Sequence, residues 1–120
     1  MRALSVLCTH RLRDPRSQRC ACSVRKHVDA LLGSDGFLAL PSAPGPAPLL
    51  NSDPVELEAF RTKAFGLTSV SGLCGLPQVT IPLAKVDGLP VGLSLIGPRN
   101  SDEALLDLAH ALSQALPVLR

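Results

Sequence analysis

The chain has 120 residues and a formal net charge of +2, and 46% of its residues are hydrophobic. This length and composition fit one domain, whose core must be built mainly from Leu, Val and Ala because the chain has three Phe and lacks Trp and Tyr. No apolar stretch approaches the roughly 18 residues that a membrane-spanning helix requires, so no membrane span is expected.

The charges are unevenly distributed along the chain. Residues 1–26 carry seven basic side chains and one acidic side chain, whereas residues 27–120 carry five basic and nine acidic ones. An Arg-rich, acid-poor amino terminus can act as a transit peptide to a plastid or mitochondrion. We favour the alternative, a cytoplasmic protein whose surface helix is joined to unrelated sequence. Nucleic acid is not a predicted partner, because this basic segment has no aromatic side chains to stack on bases.

The first predicted elements are a helix and a short strand. Apolar residues recur at helical spacing, and Gly33 is placed to end the helix. The residues of the predicted apolar face are Cys20, Val24, Val28, Leu31 and Leu32. Residues 37–40 form a continuous apolar run that predicts a strand covered on both faces. The proline-rich residues 42–48 then predict an irregular connection.

A second helix is predicted from Asp53 as its N-cap, with Pro54 at the first helical position, to about Phe65. The following residues 68–75 are small and rich in glycine, which predicts a connection. Residues 78–83 and 91–96 predict two antiparallel strands with a turn at Asp87-Gly88.

The last predicted helix runs from about Ser101 to Leu116. Two acidic residues stand in its first turn, and Pro117 is placed to end it. Its predicted apolar face consists of Leu105, Leu108, Leu112, Ala115 and Leu116. Within β-strand 91–96, Gly92 predicts either a bulge or a close approach of another part of the backbone.

The reactive side chains form no recognisable catalytic or metal site. Cys20 and Cys22 lack the two-residue spacer of a redox or zinc pair, and the three His are scattered, so neither a metal nor a cofactor is predicted. Ser69, Ser71 and Ser94 have no His or Lys at a local spacing that implies activation of a nucleophile. No catalytic residue is therefore predicted within the chain.

Four segments in order carry a resemblance to the amidase signature family. They are the strand segment at residues 35–42, the Gly-Leu-Pro-Gln-Val-Thr-Ile-Pro segment at 75–82, the Gly-Leu-Pro-Val-Gly-Leu-Ser-Leu-Ile-Gly segment at 88–97, and the acidic helix start at 101. The resemblance covers roughly Val24 to Leu116. It implies an α/β fold in which residues 24–120 form the carboxy-terminal part of an amidase domain, with a partial mixed sheet flanked by helices and a separate head at residues 1–23.

The resemblance implies hydrolysis of carboxamide C–N bonds through an acyl-enzyme, without a metal or organic cofactor. Members that hydrolyse amides use two Ser and a Lys from a Gly/Ser-rich region upstream of these segments, and no such cluster occurs in this sequence. We therefore expect the parent enzyme to act on a small-molecule amide and the chain alone to be inactive. The missing amino-terminal part of the amidase domain is an expected partner.

Residues 78–82 most resemble the plant branch that contains indole-3-acetamide hydrolases. That branch also includes a catalytically silent receptor at the plastid envelope, so a non-catalytic interaction module is the competing hypothesis. A degenerate fragment without independent function is a third. Five residues at or beside strand ends are candidates for lining a substrate pocket, since α/β sheets place ligands there. They are Ser42, Pro44, Thr68, Ser71 and Gln78. The alternative for each is an ordinary satisfied loop or helix side chain.

Overall fold

The computed structural model describes residues 15–116, which form three helices and three strands. The helices are α1 (Pro15–Leu32), α2 (Pro54–Cys74) and α3 (Asp102–Ala115), and the strands are β1 (Leu38–Pro41), β2 (Gln78–Val86) and β3 (Leu89–Ile96). The strand order is β1-β3-β2, and both pairings are antiparallel. The predicted α/β class and the predicted antiparallel pair are confirmed. The expected mixed sheet is not seen among the described residues, because both pairings there are antiparallel.

Helix α1 ends where the sequence predicts, but its apolar face is narrower. Gly33 has φ +59° and its N–H donates to the Asp29 carbonyl at 3.0 Å, which closes the helix. Val28 and Leu32 are buried, whereas Val24 and Leu31 are exposed. The first fourteen residues of the basic head lie outside the described residues, so the transit-peptide hypothesis and the division at residue 23 remain predictions.

Strand β1 is not covered on both faces, which corrects the prediction for residues 37–40. Leu38 and Leu40 are half-buried against the α1/α2 side, whereas Ala39 and Pro41 are exposed. The reason is that side chains alternate between the two faces of a strand, and α3, which covers the face that bears Ala39 and Pro41, packs over β2 and β3.

Helix α2 begins as predicted and ends nine residues later than predicted. The Asp53 carboxylate accepts a hydrogen bond from the Val55 N–H at 2.7 Å, which confirms the N-cap. The helix continues through the segment expected to be a connection and ends at Gly75, whose φ is +65°. Packing of Cys74 and Val70 against α1 offsets the low helix propensity of the glycines in this segment.

The β2–β3 hairpin is longer than predicted because its turn has only two residues. Asp87 and Gly88 both have positive φ, at 53° and 78°, as a two-residue type I′ turn requires. The pairing shifts by one residue between Pro82 and Ala84, where β2 contains a bulge.

Two apolar clusters lie on opposite faces of the sheet. On one face, Val28, Leu32 and Cys74 from the helices pack with Leu76 and Ile96. On the other face, α3 packs on the sheet through Leu105 and Ala109, which join Ile81 and Leu95; Leu108 and Leu112 are half-buried against this cluster. The predicted apolar face of α3 is thus confirmed except at Ala115 and Leu116, which are exposed.

Candidate functional site

Two of the predicted pocket residues meet where α2 leads into β2. Gly75, in the left-handed conformation, turns the chain at the end of α2 so that β2 starts beside the last helical turn. The Ser71 hydroxyl donates a hydrogen bond to Oε1 of Gln78, and the pair is partly buried. The sequence separates these residues by seven positions, and the sharp turn brings them into contact.

A second pair of polar side chains lies on the same face of the sheet. Thr80 is two residues beyond Gln78, so its side chain points to the same side of β2, and Ser94 is its register partner on β3. The Thr80 Oγ1 and Ser94 Oγ atoms are 2.8 Å apart. Ser94 is fully buried, so this hydrogen bond compensates for removing its hydroxyl from water.

Ser42 completes this group from the end of β1. Its backbone N–H and its hydroxyl both donate to the Gly92 carbonyl, at 2.9 and 3.0 Å. A Cβ atom on Gly92 would lie 2.5 Å from the Ser42 Oγ and 2.9 Å from the Thr80 methyl carbon. Gly92 therefore brings Ser42 next to Thr80. The close approach at this glycine is made by side chains, not by the backbone that was predicted, and the bulge, the predicted alternative, lies in the neighbouring strand between Pro82 and Ala84. We call the five side chains of Ser42, Ser71, Gln78, Thr80 and Ser94 the polar row.

Pro44 and Thr68 lie apart from the polar row. Pro44 lines an open depression of about 390 Å³ against the first turns of α2, together with Glu56, Phe60 and Lys63. The Thr68 hydroxyl donates to the Ala64 carbonyl of its own helix at 2.9 Å. Of the five predicted pocket residues, the structure thus brings Ser42, Ser71 and Gln78 into one group and leaves these two outside it.

The sequence analysis did not assign Thr80 or Ser94 to a site. The signal was present in the alternation of β2, because Gln78 and Thr80 occupy one face while Val79 and Ile81 occupy the other. Ser94 lies on the same face of β3 as the buried Ile96, and Gln78 and Thr80 lie opposite these two residues on β2. Once the register is known, these polar side chains stand out because they share a face with a core residue. The pairing of Thr80 with Ser94 depends on that register, which is set by the two-residue turn together with the one-residue bulge between Pro82 and Ala84.

Two arginines hold the end of α2 beside the polar row. Nη2 of Arg99 donates to the Cys74 carbonyl at 2.6 Å, and its Nη1 donates to the Gly75 carbonyl at 3.3 Å. Nη2 of Arg25 donates to the Leu73 carbonyl at 3.1 Å. Oδ1 of Asp29 forms an ion pair with Nη2 of Arg99 at 3.7 Å. Cations are favourable at this position because the last carbonyls of a helix form the negative end of its dipole. The sequence pattern does not predict this arrangement, because Arg25 and Arg99 are each at least 24 positions away from the carbonyls that they bind.

Cys74 is fully buried below this helix end. Burial raises the pKa of its thiol, the Asp29 carboxylate adds to that effect, and the two nearby arginines oppose it. A thiol with a raised pKa is a poor nucleophile, because the thiolate is the reactive form. Cys74 therefore serves the packing of the apolar cluster and not chemistry. Within residues 15–116, no group of three or more His, Cys, Asp or Glu is arranged to hold a metal ion.

The polar row can recognise polar groups through hydrogen bonds. Its hydroxyls pair with an amide oxygen, a carbonyl oxygen and another hydroxyl. None of these partners takes up a proton as a general base does, so these contacts do not activate a nucleophile. The arrangement fits binding and orientation better than bond cleavage.

Comparison with known proteins identifies the family. The amidase family model matches residues 5–106. The chain belongs to the amidase signature family. Amidase 1 of Oryza sativa subsp. japonica is 45% identical over 99 residues, which is 82% of this chain and 23% of that protein. The chloroplastic Outer envelope protein 64 of Arabidopsis thaliana is 33% identical over 92 residues, covering 77% of this chain and 16% of that protein.

The fold is that of part of an amidase domain. The crystal structure of a Glutamyl-tRNA(Gln) amidotransferase from Thermotoga maritima superposes with a TM-score of 0.75 at 22% identity, covering 85% of this chain and 22% of that one. The chain therefore spans about a fifth to a quarter of the length of these relatives, apart from Outer envelope protein 64, of which it spans less. In the described residues, no helix has the length and apolar character needed to cross a membrane.

Proposed function

We propose that the chain forms one wall of the substrate pocket in an enzyme that hydrolyses small-molecule carboxamides. The observation that carries this proposal is the polar row, in which the exposed Thr80 and the half-buried Ser42, Ser71 and Gln78 present hydroxyl and amide groups, while the buried Ser94 holds Thr80. Such groups can hydrogen-bond to both the oxygen and the nitrogen of a carboxamide. Pro44 and Thr68 are proposed as more distant pocket residues, on their predicted positions beside strand ends alone.

The proposed reaction proceeds through an acyl-enzyme and uses neither metal nor organic cofactor. The nucleophilic Ser, the second Ser and the Lys base are supplied by another part of an amidase domain, as the resemblance implies. The polar row orients the substrate so that its carbonyl carbon faces that nucleophile. By itself, the chain is then inactive. Indole-3-acetamide is the proposed substrate, because residues 78–82 resemble the branch that hydrolyses it.

The function can be tested in a chimera with a longer relative. In rice Amidase 1, the segment similar to this chain is replaced by residues 15–116; this protein is called the chimera below. We expect Gln78→Ala to raise the KM for indole-3-acetamide by about 3- to 10-fold with little change in kcat, the effect of losing one neutral hydrogen bond. Ammonia release measures both constants.

A serine outside the polar row provides the control. Ser113 lies on α3 and donates to the His110 carbonyl at 2.8 Å. Ser113→Ala should leave KM unchanged, whereas Ser71→Ala should raise it, because Ser71 fixes the Gln78 amide. Equal KM values for Gln78→Ala, Ser71→Ala and the unaltered chimera would exclude the polar row from the pocket.

A second candidate function is a non-catalytic interaction module. The observation that favours it is the similarity to Outer envelope protein 64, although the identity to Amidase 1 is higher. A folded chimera that releases no ammonia would favour the module.

Cytoplasmic localisation is also a proposal, with a plastid or mitochondrion as the alternative. A fluorescent fusion to the full chain distinguishes the two by where it accumulates.

A further inference from the structure

The hydrogen bond between Ser71 and Gln78 spans the turn that joins α2 to β2. Within this turn, the Leu76 N–H donates to the Ser71 carbonyl at 3.0 Å. The Gly97 N–H, just beyond the end of β3, donates to the Pro77 carbonyl at 3.1 Å. The distance between the Ser71 hydroxyl and the Gln78 amide therefore depends on how the backbone of this turn is held.

Arg99 holds the same turn through its carbonyl groups. The last carbonyls of a helix have no N–H partner within that helix, and Cys74 is fully buried, so its carbonyl is shielded from water. Nη2 of Arg99 donates to the Cys74 carbonyl at 2.6 Å, and Nη1 donates to the Gly75 carbonyl at 3.3 Å. One planar guanidinium thus fixes two successive peptide groups that lie between Ser71 and Gln78.

The connection between β3 and α3 directs Arg99 toward these carbonyls. The Ser101 N–H donates to the Pro98 carbonyl at 3.3 Å, and Asn100 has φ +63°, a left-handed conformation that Asn adopts more readily than most residues. The Asp29 carboxylate on α1 forms an ion pair with Nη2 of Arg99 at 3.7 Å. Arg99 is therefore anchored both by its own turn and by an acidic partner on another helix.

We propose that Arg99 is a positioning residue that sets the geometry of Ser71 and Gln78 for amide binding. This inference rests on the proposed function, in which these two side chains orient the substrate. Arg99 donates to the backbone between them, so it acts through Gln78 without touching the substrate. Loss of the guanidinium lets the turn relax and moves the Gln78 amide away from Ser71. A role in folding alone changes stability and leaves the substrate affinity of the folded protein unchanged.

A double-mutant cycle in the chimera tests this role. We expect Arg99→Ala to raise the KM for indole-3-acetamide by about 3- to 10-fold with little change in kcat, as Gln78→Ala does. The double variant should have no higher KM than Gln78→Ala alone, because Arg99 acts through Gln78. Arg99→Lys keeps the positive charge beside the helix end but lacks the planar fork, so its KM should lie between those of the chimera and Arg99→Ala.

A second arginine provides the control, and a spectroscopic measurement follows the amide directly. Arg61 lies on α2 and forms an exposed ion pair with Glu58 at 3.5 Å, so Arg61→Ala should leave KM unchanged. In the 120-residue chain, the NMR resonances of the Gln78 side-chain amide should move in Arg99→Ala toward their positions in Ser71→Ala. This measurement requires no catalytic activity.

The outcomes separate this inference from the proposed function. The inference is overturned if Arg99→Ala and Arg99→Lys leave KM unchanged while Gln78→Ala raises it, or if the increases from Arg99→Ala and Gln78→Ala multiply in the double variant. It is also overturned if the Gln78 resonances do not move in Arg99→Ala. Resonances that move, together with a Gln78→Ala variant of unchanged KM, contradict the proposed function and leave the positioning of the Gln78 amide by Arg99 intact.

Discussion

Gly92 shows how a single residue arranges the polar row. It lies opposite Pro82 in the β2–β3 pairing, and its missing side chain leaves room for Ser42 to reach the Gly92 carbonyl. The sequence predicted a close approach at this glycine, because glycine within a strand is otherwise unfavourable. It could not identify Ser42 as the neighbour, since the two residues are 50 positions apart.

The first prediction concerns Gly92→Ala in the chimera. We expect it to lower the free energy of unfolding by about 1–3 kcal/mol, because the added methyl overlaps the Ser42 hydroxyl and the Thr80 methyl. Gly45→Ala is the control; a Cβ atom there meets nothing within 4 Å, so its effect should stay within about 0.5 kcal/mol. Urea denaturation measures both, and equal stability of the two variants would contradict the packing described around Gly92.

The second prediction concerns the buried thiol of Cys74. Its pKa is raised in the folded state, so on a rise in pH the unfolded chain releases this proton first. Stability contributed by the neutral thiol is therefore fully present below the ordinary thiol pKa of about 8.5 and is lost as the pH rises above it. The urea midpoint of the 120-residue chain should fall as the pH rises above about 8.5. Cys74→Ala should reduce the slope of the urea midpoint against pH in this range. An unchanged slope in the variant would mean that other groups cause the loss.

At the scale of elements, the starts of α2 and α3 were predictable, whereas the start of α1 and the end of α2 were not. Asp53 and Pro54 mark the start of α2 by local chemistry. Its end depends on distant residues, because Val28 and Leu32 of α1 pack against its last turns and Arg99 binds its final carbonyls. The small residues 68–75 locally favour a connection, and this tertiary packing overrides that preference up to Cys74.

The third prediction tests that explanation with Arg99→Ala. Loss of the guanidinium leaves the Cys74 and Gly75 carbonyls without these donors, so we expect faster amide hydrogen exchange over residues 71–76 of the 120-residue chain. Arg61→Ala is the matched control, since Arg61 forms an exposed ion pair with Glu58 at 3.5 Å within the same helix. If both variants exchange at the same rate over this segment, the Arg99 contacts do not hold the helix end.

At the scale of the whole molecule, the sequence predicted the family, the α/β class and the order of elements from residue 15 onward. It did not predict which surfaces stay uncovered, because burial depends on neighbours that a sequence pattern does not specify. Ala39 illustrates this, since it lies in a strand predicted to be covered on both faces and is exposed, and Phe65 on α2 is 71% exposed although its side chain is large and aromatic. These surfaces are consistent with a chain that is completed by the rest of an amidase domain.

The measurement that tests the central claim most directly is ammonia release from indole-3-acetamide by two proteins, the 120-residue chain and the chimera. We expect no turnover by the chain, because the nucleophile, the base and the oxyanion donors lie elsewhere, and serine-dependent turnover by the chimera, because residues 15–116 then complete the pocket. Turnover by the chain that a serine-directed phosphonate abolishes, or a folded chimera without turnover, would contradict the account.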